Sequence, residues 1–136
     1  GANPTGNGRS DSYISEVLPR MTNLIINKGD WNFEEAISDM KNGYYATGFM
    51  GGVHNPLFDN YSLSPQLCFK IINGRIESVL KNVYIIGDIK NTLKDIEAIG
   101  NKQETIASMC GKSGQIVMAG LVSPFLKVSS MSVLCN

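Results

Sequence analysis

Between Asn32 and Gly43 the apolar positions repeat with a helical period: Phe33, Ala36, Ile37 and Met40 fall at i, i+3, i+4 and i+7 and share one face. Asn32 fits as N-cap, Glu34 and Glu35 occupy the first turn and Lys41 the last, and Gly43 is placed to end the helix in a left-handed conformation. A second helix is expected over Ile89–Ile99, capped by Asp88, with Leu93, Ile96 and Ile99 inward and Gly100 at its end. Elsewhere the apolar period shortens. Met21–Ile26, Tyr44–Phe49, a run from Leu63 or Leu67 to Ile72, Arg75–Leu80 and Val83–Ile86 read as strands. Three more are expected around Thr105–Met109, Gln115–Ala119 and Phe125–Leu134. Asn73-Gly74, between two such runs, is the pair that a type I′ hairpin turn demands, because both central residues need positive φ. Val53–Asn60, with Pro56 and two asparagines, reads as loop.

The pattern predicts an α+β fold: a strand-rich core of about seven or eight mostly antiparallel strands, able to curl into a barrel, with two helices. The turn-rich opening Gly1 to Gly8 predicts a loop. Residues 1–19 are expected to be a flexible lead-in from an upstream region, and residues 20–136 a single domain. A chain of 136 residues can bury about two-thirds of the surface it exposes when unfolded, so it needs no disulfide or metal to fold.

Charge narrows the partners. Twelve basic and twelve acidic residues cancel, with no run of like sign, so the field that attracts nucleic acid or an acidic membrane is missing. No apolar stretch approaches the roughly 20 residues of a membrane helix. Cys68, Cys110 and Cys135 are odd in number and far apart, unlike a secreted disulfide framework, which predicts a reducing cytoplasm. The sequon Asn60-Tyr61-Ser62 has no meaning without secretion.

Candidate chemistry centres on Cys110-Gly111-Lys112-Ser113-Gly114-Gln115. A phosphate loop needs a glycine five positions before its Gly-Lys-Ser, and Ile106 stands there, so the nucleotide reading fails. A thiol between flexible glycine points and beside a lysine suits a partly exposed cysteine of low pKa that binds metal. His54 is the one histidine, so no His-x-x-x-His pair exists in the chain, and no local signature joins it to a cysteine nucleophile. The adjacent Glu34 and Glu35 point in different directions and do not form an acid–base pair. No catalytic residue is assigned. Gly51-Gly52 follows a strand but opens no helix, which excludes a dinucleotide loop. Glycines there suit close approach of another backbone, so Gly51 and Gly52 are candidate peptide-binding positions, with affinity from main-chain hydrogen bonds.

Taken in order, Arg20-Met21-Thr22-Asn23, Gly29-Asp30, Gly43-Tyr44-Tyr45, Gly51-Gly52, Ile72-Asn73-Gly74, Ala98-Ile99-Gly100-Asn101, Cys110-Gly111-Lys112-x-Gly114-Gln115 and Pro124 resemble the C-terminal domain of the TldD/PmbA family, also labelled modulator of DNA gyrase. The resemblance runs from about Gly6 onward. It implies a zinc-dependent peptidase that trims or degrades peptides and works as a pair of related subunits. It also implies that zinc is held by two histidines of a His-Glu-x-x-x-His helix and by the cysteine of Cys-Gly-Lys, which maps to Cys110 and favours the TldD-like side.

The two histidines and the activating glutamate are not in these residues. The chain is therefore expected to be one domain of a larger metalloprotease, inactive alone and binding no zinc tightly. Its expected partners are an upstream domain of the same chain, a second related subunit and a peptide, with no nucleic acid and no membrane. The alternative is a noncatalytic peptide-binding or scaffold domain of the same ancestry; a cysteine enzyme or an unrelated strand-rich domain stands behind both. Nothing in the charge pattern points to DNA or gyrase.

Overall fold

A computed structural model describes residues 6–135. In chain order its elements begin with β1 (Gly8–Arg9), β2 (Leu18–Pro19), β3 (Asn23–Ile25), α1 (Phe33–Ser38), β4 (Asn42–Thr47) and β5 (Gly51–Asn55). Then come β6 (Asn60–Ser64), β7 (Leu67–Ile72), β8 (Arg75–Leu80), β9 (Val83–Asp88), α2 (Ile89–Lys94) and β10 (Ile96–Ile99). The last four are β11 (Glu104–Lys112), β12 (Gln115–Ser123), β13 (Leu126–Val128) and β14 (Ser132–Cys135). The fold is α+β and strand-rich, as the sequence pattern predicts, with fourteen strands and two helices among the described residues. The pairings are antiparallel except β12 with β3 and one isolated bridge, Trp31 to Gly100, and none of the five sheets closes on itself.

The chain divides into two compact units, Gly1–Lys28 with Lys102–Pro124, and Gly29–Asn101 with Phe125–Asn136. The first unit is built on the long hairpin β11–β12, with β3 parallel to β12, and β1 paired with β2. Of the expected opening loop, residues 1–5 lie outside the described residues, and Gly8–Arg9 pairs with Leu18–Pro19. On β12 the side chains alternate, Gln115, Val117 and Ala119 buried and Ile116 and Met118 exposed, the signature of a sheet with one covered face.

The second unit carries sheets β4–β7–β8, β14–β9–β6–β5 and β10–β13. β7 is central in its sheet, and Cys68 and Ile71, at 1% and 0% exposure, have opposite parity, so both faces of the strand are covered. On the Ile71 face an aromatic group runs from Phe33 to Tyr45 at 4.8 Å and on to Phe69 at 5.8 Å.

Both helices are shorter than their periodicity predicts. Asn32 does cap α1: its Oδ1 accepts from the Glu35 N–H at 2.8 Å, and the Glu35 carboxylate accepts from the Asn32 N–H, a complete capping box. The helix nevertheless ends at Ser38. The Met40 and Lys41 carbonyls accept from the Gly74 and Asn73 N–H groups, and from Asn42 the backbone pairs with β7. Gly43 is therefore a strand residue and not a helix cap. The second helix stops at Lys94 because Ile96–Ile99 pairs with β13, and Leu93, expected inward, is 61% exposed. Gly51–Asn55, partly assigned to a loop by the sequence pattern, forms strand β5 against β6. Two asparagine-rich ends, Asn55 and Asn60, meet as a pair at the mouth of that hairpin.

Candidate functional site

Cys110 sits on β11, opposite Val117 of β12, three residues from the hairpin turn. The turn is Ser113-Gly114, with φ of 51° and 75°, so both residues are left-handed as in a type I′ hairpin. The glycine freedom that marks the motif thus lies in the turn, while Cys110, Gly111 and Lys112 continue the strand.

What distinguishes this end of the hairpin is Arg20. The residue is 4% exposed, and its guanidinium donates to the Cys110 carbonyl, to the Gln115 carbonyl at 3.1 Å and weakly to Gln115 Oε1 at 3.5 Å. Both strands are therefore tied through one side chain. Neighbouring residues fasten the same end: Lys112 Nζ donates to the Pro19 carbonyl at 3.2 Å, and Gln115 Nε2 to the Glu16 carbonyl at 2.9 Å. Arg20 Nε is buried without a partner, and no carboxylate forms an ion pair with this guanidinium among the described residues. A buried cation normally keeps a compensating partner, because desolvating it alone is costly.

The thiol beside it responds. The Arg20 guanidinium and then the Met21 N–H hold the Cys110 thiol below its ordinary pKa; burial opposes them, and the charge of Lys112 adds a smaller lowering. Partial exposure and a lowered thiol pKa are the features that suit a cysteine to soft-metal ligation. Cys68 is the opposite case: burial pushes its thiol up, and it serves as core.

One thiolate does not make a metal centre. Among the described residues no group of three or more His, Cys, Asp or Glu side chains comes together to hold a metal. Cys110 fits a single ligand position, and the remaining positions of a complete site are not filled by this donor set. His54, on β5, lies opposite Tyr61.

Gly51 and Gly52 fall on β5, the edge strand of sheet β14–β9–β6–β5. A Cβ on Gly51 would meet nothing within 4 Å, whereas one on Gly52 would lie 2.8 Å from Leu63 and 2.9 Å from the Ser62 carbonyl. The open position borders a shallow concavity of about 320 Å³ lined by Met50, Gly51, Gly52, Val53, Ser62, Ser64 and Tyr84, none of them charged. A larger concavity, about 550 Å³, is bordered by Asp30, Trp31, Glu35, Ser38 and Asp39, but Glu35 is committed to the α1 cap and Asp39 to Lys127. Sequence reasoning singled out Cys110 and the glycines as site residues and named Arg20 and Gln115 only as members of motif runs, without their burial or the bonds between them. The Arg20 in the Arg20-Met21-Thr22-Asn23 run was visible only as part of a motif, without its partner.

The chain belongs to the PmbA/TldA metallopeptidase C-terminal domain family, whose model matches residues 1–134. Among its relatives is a metalloprotease TldD homolog of Haemophilus influenzae, 33% identical over 135 residues, an alignment covering 98% of this chain and 28% of the relative. A zinc metalloprotease TldD homolog of Saccharolobus solfataricus is 32% identical over 133 residues, covering 98% of this chain and 30% of its own length. The chain thus spans less than a third of either relative. The crystal structure of TldE from Thermococcus kodakarensis shares the fold, with a TM-score of 0.73 at 18% identity over 94% of this chain and 27% of that one. No helix among the described residues is long and apolar enough to cross a membrane.

Proposed function

We propose that this chain serves as the C-terminal domain of a zinc-dependent peptidase, contributing Cys110 as one metal ligand and the β5 edge, at Gly51 and Gly52, as part of the surface that binds a peptide. The observation that carries the reading is the Cys110 thiol set beside the buried Arg20 guanidinium on a tied hairpin, in a chain whose relatives are named metalloproteases. In such enzymes a bound zinc polarises the scissile carbonyl and activates water. The part of this chain is to hold a thiolate at a fixed position and to offer unpaired main-chain groups along β5 to an extended segment.

The remaining ligands and the general base come, on this reading, from an upstream domain of the same polypeptide, and a related second subunit completes the assembly. A cytoplasmic setting fits three free cysteines. The 136-residue chain alone is expected to be inert toward peptides even with added zinc.

Zinc content of the natural full-length polypeptide tests the reading. Cys110→Ser should lower zinc occupancy at a fixed chelator concentration by at least tenfold while circular dichroism stays unchanged. Wild-type occupancy in that variant would remove Cys110 from the ligand set.

A further inference from the structure

We propose that Arg20 is the positioning residue of the Cys110 site: its guanidinium clamps the two strands on either side of the Ser113-Gly114 turn, and this clamp sets where the thiol lies. The inference rests on the reading of Cys110 as a ligand and goes beyond it, because it assigns a role to a residue that touches no metal.

The argument starts from cost. An arginine that is 4% exposed, with no ion pair to a carboxylate among the described residues and a buried Nε left unsatisfied, is an expensive way to fill space. A methionine or leucine of similar volume would bury as much apolar surface without that penalty. What the arginine does that an apolar residue cannot is bond two carbonyls at once. One is the carbonyl of Cys110 itself, on β11, and the other is that of Gln115, on β12.

These two residues flank the turn, and the hairpin end is otherwise open, since a Cβ on Gly111 or Gly114 would meet nothing within 4 Å. Without the clamp, this end is held by ladder bonds and by three single bonds to the segment before Arg20: Lys112 and Gln115 donate one each, and Gln115 accepts one from the Asp11 N–H. A hairpin tip can twist and fray, and a ligand displaced by a fraction of an ångström binds less well. Supporting groups around metal ligands are worth roughly 10- to 100-fold in affinity.

Gln115 reinforces the assignment. Its side chain accepts from Arg20 and from the Asp11 N–H at 3.4 Å and donates to the Glu16 carbonyl, so the arginine is itself held in orientation. Lysine in place of Arg20 would keep the charge but could not reproduce the fixed, forked geometry.

The test uses the natural full-length polypeptide loaded with Co²⁺ alone, reading the dissociation constant and, at saturation, the near-ultraviolet sulfur-to-cobalt charge-transfer band per bound ion. Arg20→Met should weaken Co²⁺ binding by roughly 10- to 100-fold and change the band even at saturation. A merely loosened fold would instead restore the wild-type band once every site is filled, and that result overturns the proposal. Arg20→Lys should fold and still bind at least several-fold more weakly than wild type; it also serves should Arg20→Met fail to fold. Wild-type affinity and band in Arg20→Lys overturn the clamp. Cys110→Ser separates the two levels: if it loses the band while the Arg20 variants keep theirs, the ligand reading stands and the positioning role falls. If Cys110→Ser keeps the wild-type band, both fall.

Discussion

Gly29 lies against Ile99 so closely that a Cβ on the glycine would sit 2.5 Å from the Ile99 carbonyl oxygen and 2.9 Å from the Ile99 Cβ. The approach is part of a crossing in which the Gly29 N–H donates to the Gly100 carbonyl at 2.8 Å and the Asn101 N–H to the Trp31 carbonyl at 2.8 Å. Backbone on both sides leaves nothing flexible to yield. Gly29→Ala should cost about 1–3 kcal/mol through overpacking. Urea denaturation measures it, and an unchanged midpoint would show that the crossing opens without cost.

Lys127 joins three elements of the second unit, which makes its stability contribution dependent on alkaline pH. Its ammonium is hydrogen-bonded to Asp39, lies 3.3 Å from Glu97 and sits 5.6 Å from the centre of the Trp31 ring, with the side chain only 16% exposed. The Asp39 hydrogen bond leads in raising its pKa above the ordinary 10.5, burial opposes, and Glu97 adds. A group whose folded pKa is raised stabilises fully below its unfolded value and loses that contribution as pH climbs through the folded one. Because the carboxylates are 55% and 50% exposed, Lys127→Met should cost only about 1 kcal/mol at pH 8. The difference from wild type should then shrink as the pH climbs above the ordinary lysine value of 10.5. A thermal melt series across that range that held a constant gap would refute the linkage.

Asp59 and Lys90 show the acid counterpart at an exposed pair. Lys90 Nζ lies 2.9 Å from the Asp59 carboxylate and, by its hydrogen bond and then its charge, lowers the pKa of that acid. The sign is reversed: the contribution is present above the unfolded pKa and disappears as pH falls through the lower folded one. With the Lys90 side chain 74% and the Asp59 side chain 41% exposed, water and salt reach the pair, so Lys90→Met should shift the acid unfolding midpoint slightly at low salt and not at all in 1 M salt. A shift that survives 1 M salt would mean that the pair is not acting through its charges.

The three cysteines should separate by reactivity. In native protein at pH 7.5, Cys110 and Cys135 should take up iodoacetamide, with Cys110 faster despite its lower exposure because the thiolate is the nucleophile. Cys68, 1% exposed and with its thiol pushed up by burial, should react only after denaturation. Peptide-resolved mass spectrometry gives the order directly. Modification of native Cys68 at the Cys135 rate would contradict the closed packing around β7.

The same molecule shows where local pattern suffices and where it does not. Arg75–Leu80 and Asn73-Gly74 were legible because alternation and turn chemistry are both local. Ile96–Ile99 was misread because its residues fit a helical stripe as well as a strand, and pairing with Leu126–Val128, far along the chain, decides between them. Gly43 was misread for the same reason, since β7 claims the backbone from Asn42 onward. Cys110 stood out through its immediate neighbours. Arg20 could not, because the carbonyls that explain its burial are 90 and 95 residues away.

Gly74 and Gly114 occupy equivalent places in two type I′ turns, with φ of 72° and 75°, yet they should respond differently to a methyl group. At Gly114 the built Cβ meets nothing within 4 Å, so Gly114→Ala pays only for the left-handed backbone, about 1–2 kcal/mol. At Gly74 the Cβ would also lie 2.8 Å from the Ser38 carbonyl oxygen and 3.1 Å from the Ser38 Cα. Relief there would pull the turn from the end of α1 and break the bonds that the Asn73 and Gly74 N–H groups donate to Lys41 and Met40, at 2.5 and 2.7 Å. Gly74→Ala should therefore cost about 2–4 kcal/mol, from the left-handed backbone together with the clash against Ser38 or the loss of at least one of these hydrogen bonds. Paired urea titrations of the two variants check the difference, and equal losses would mean that the contact between this turn and α1 contributes nothing to stability.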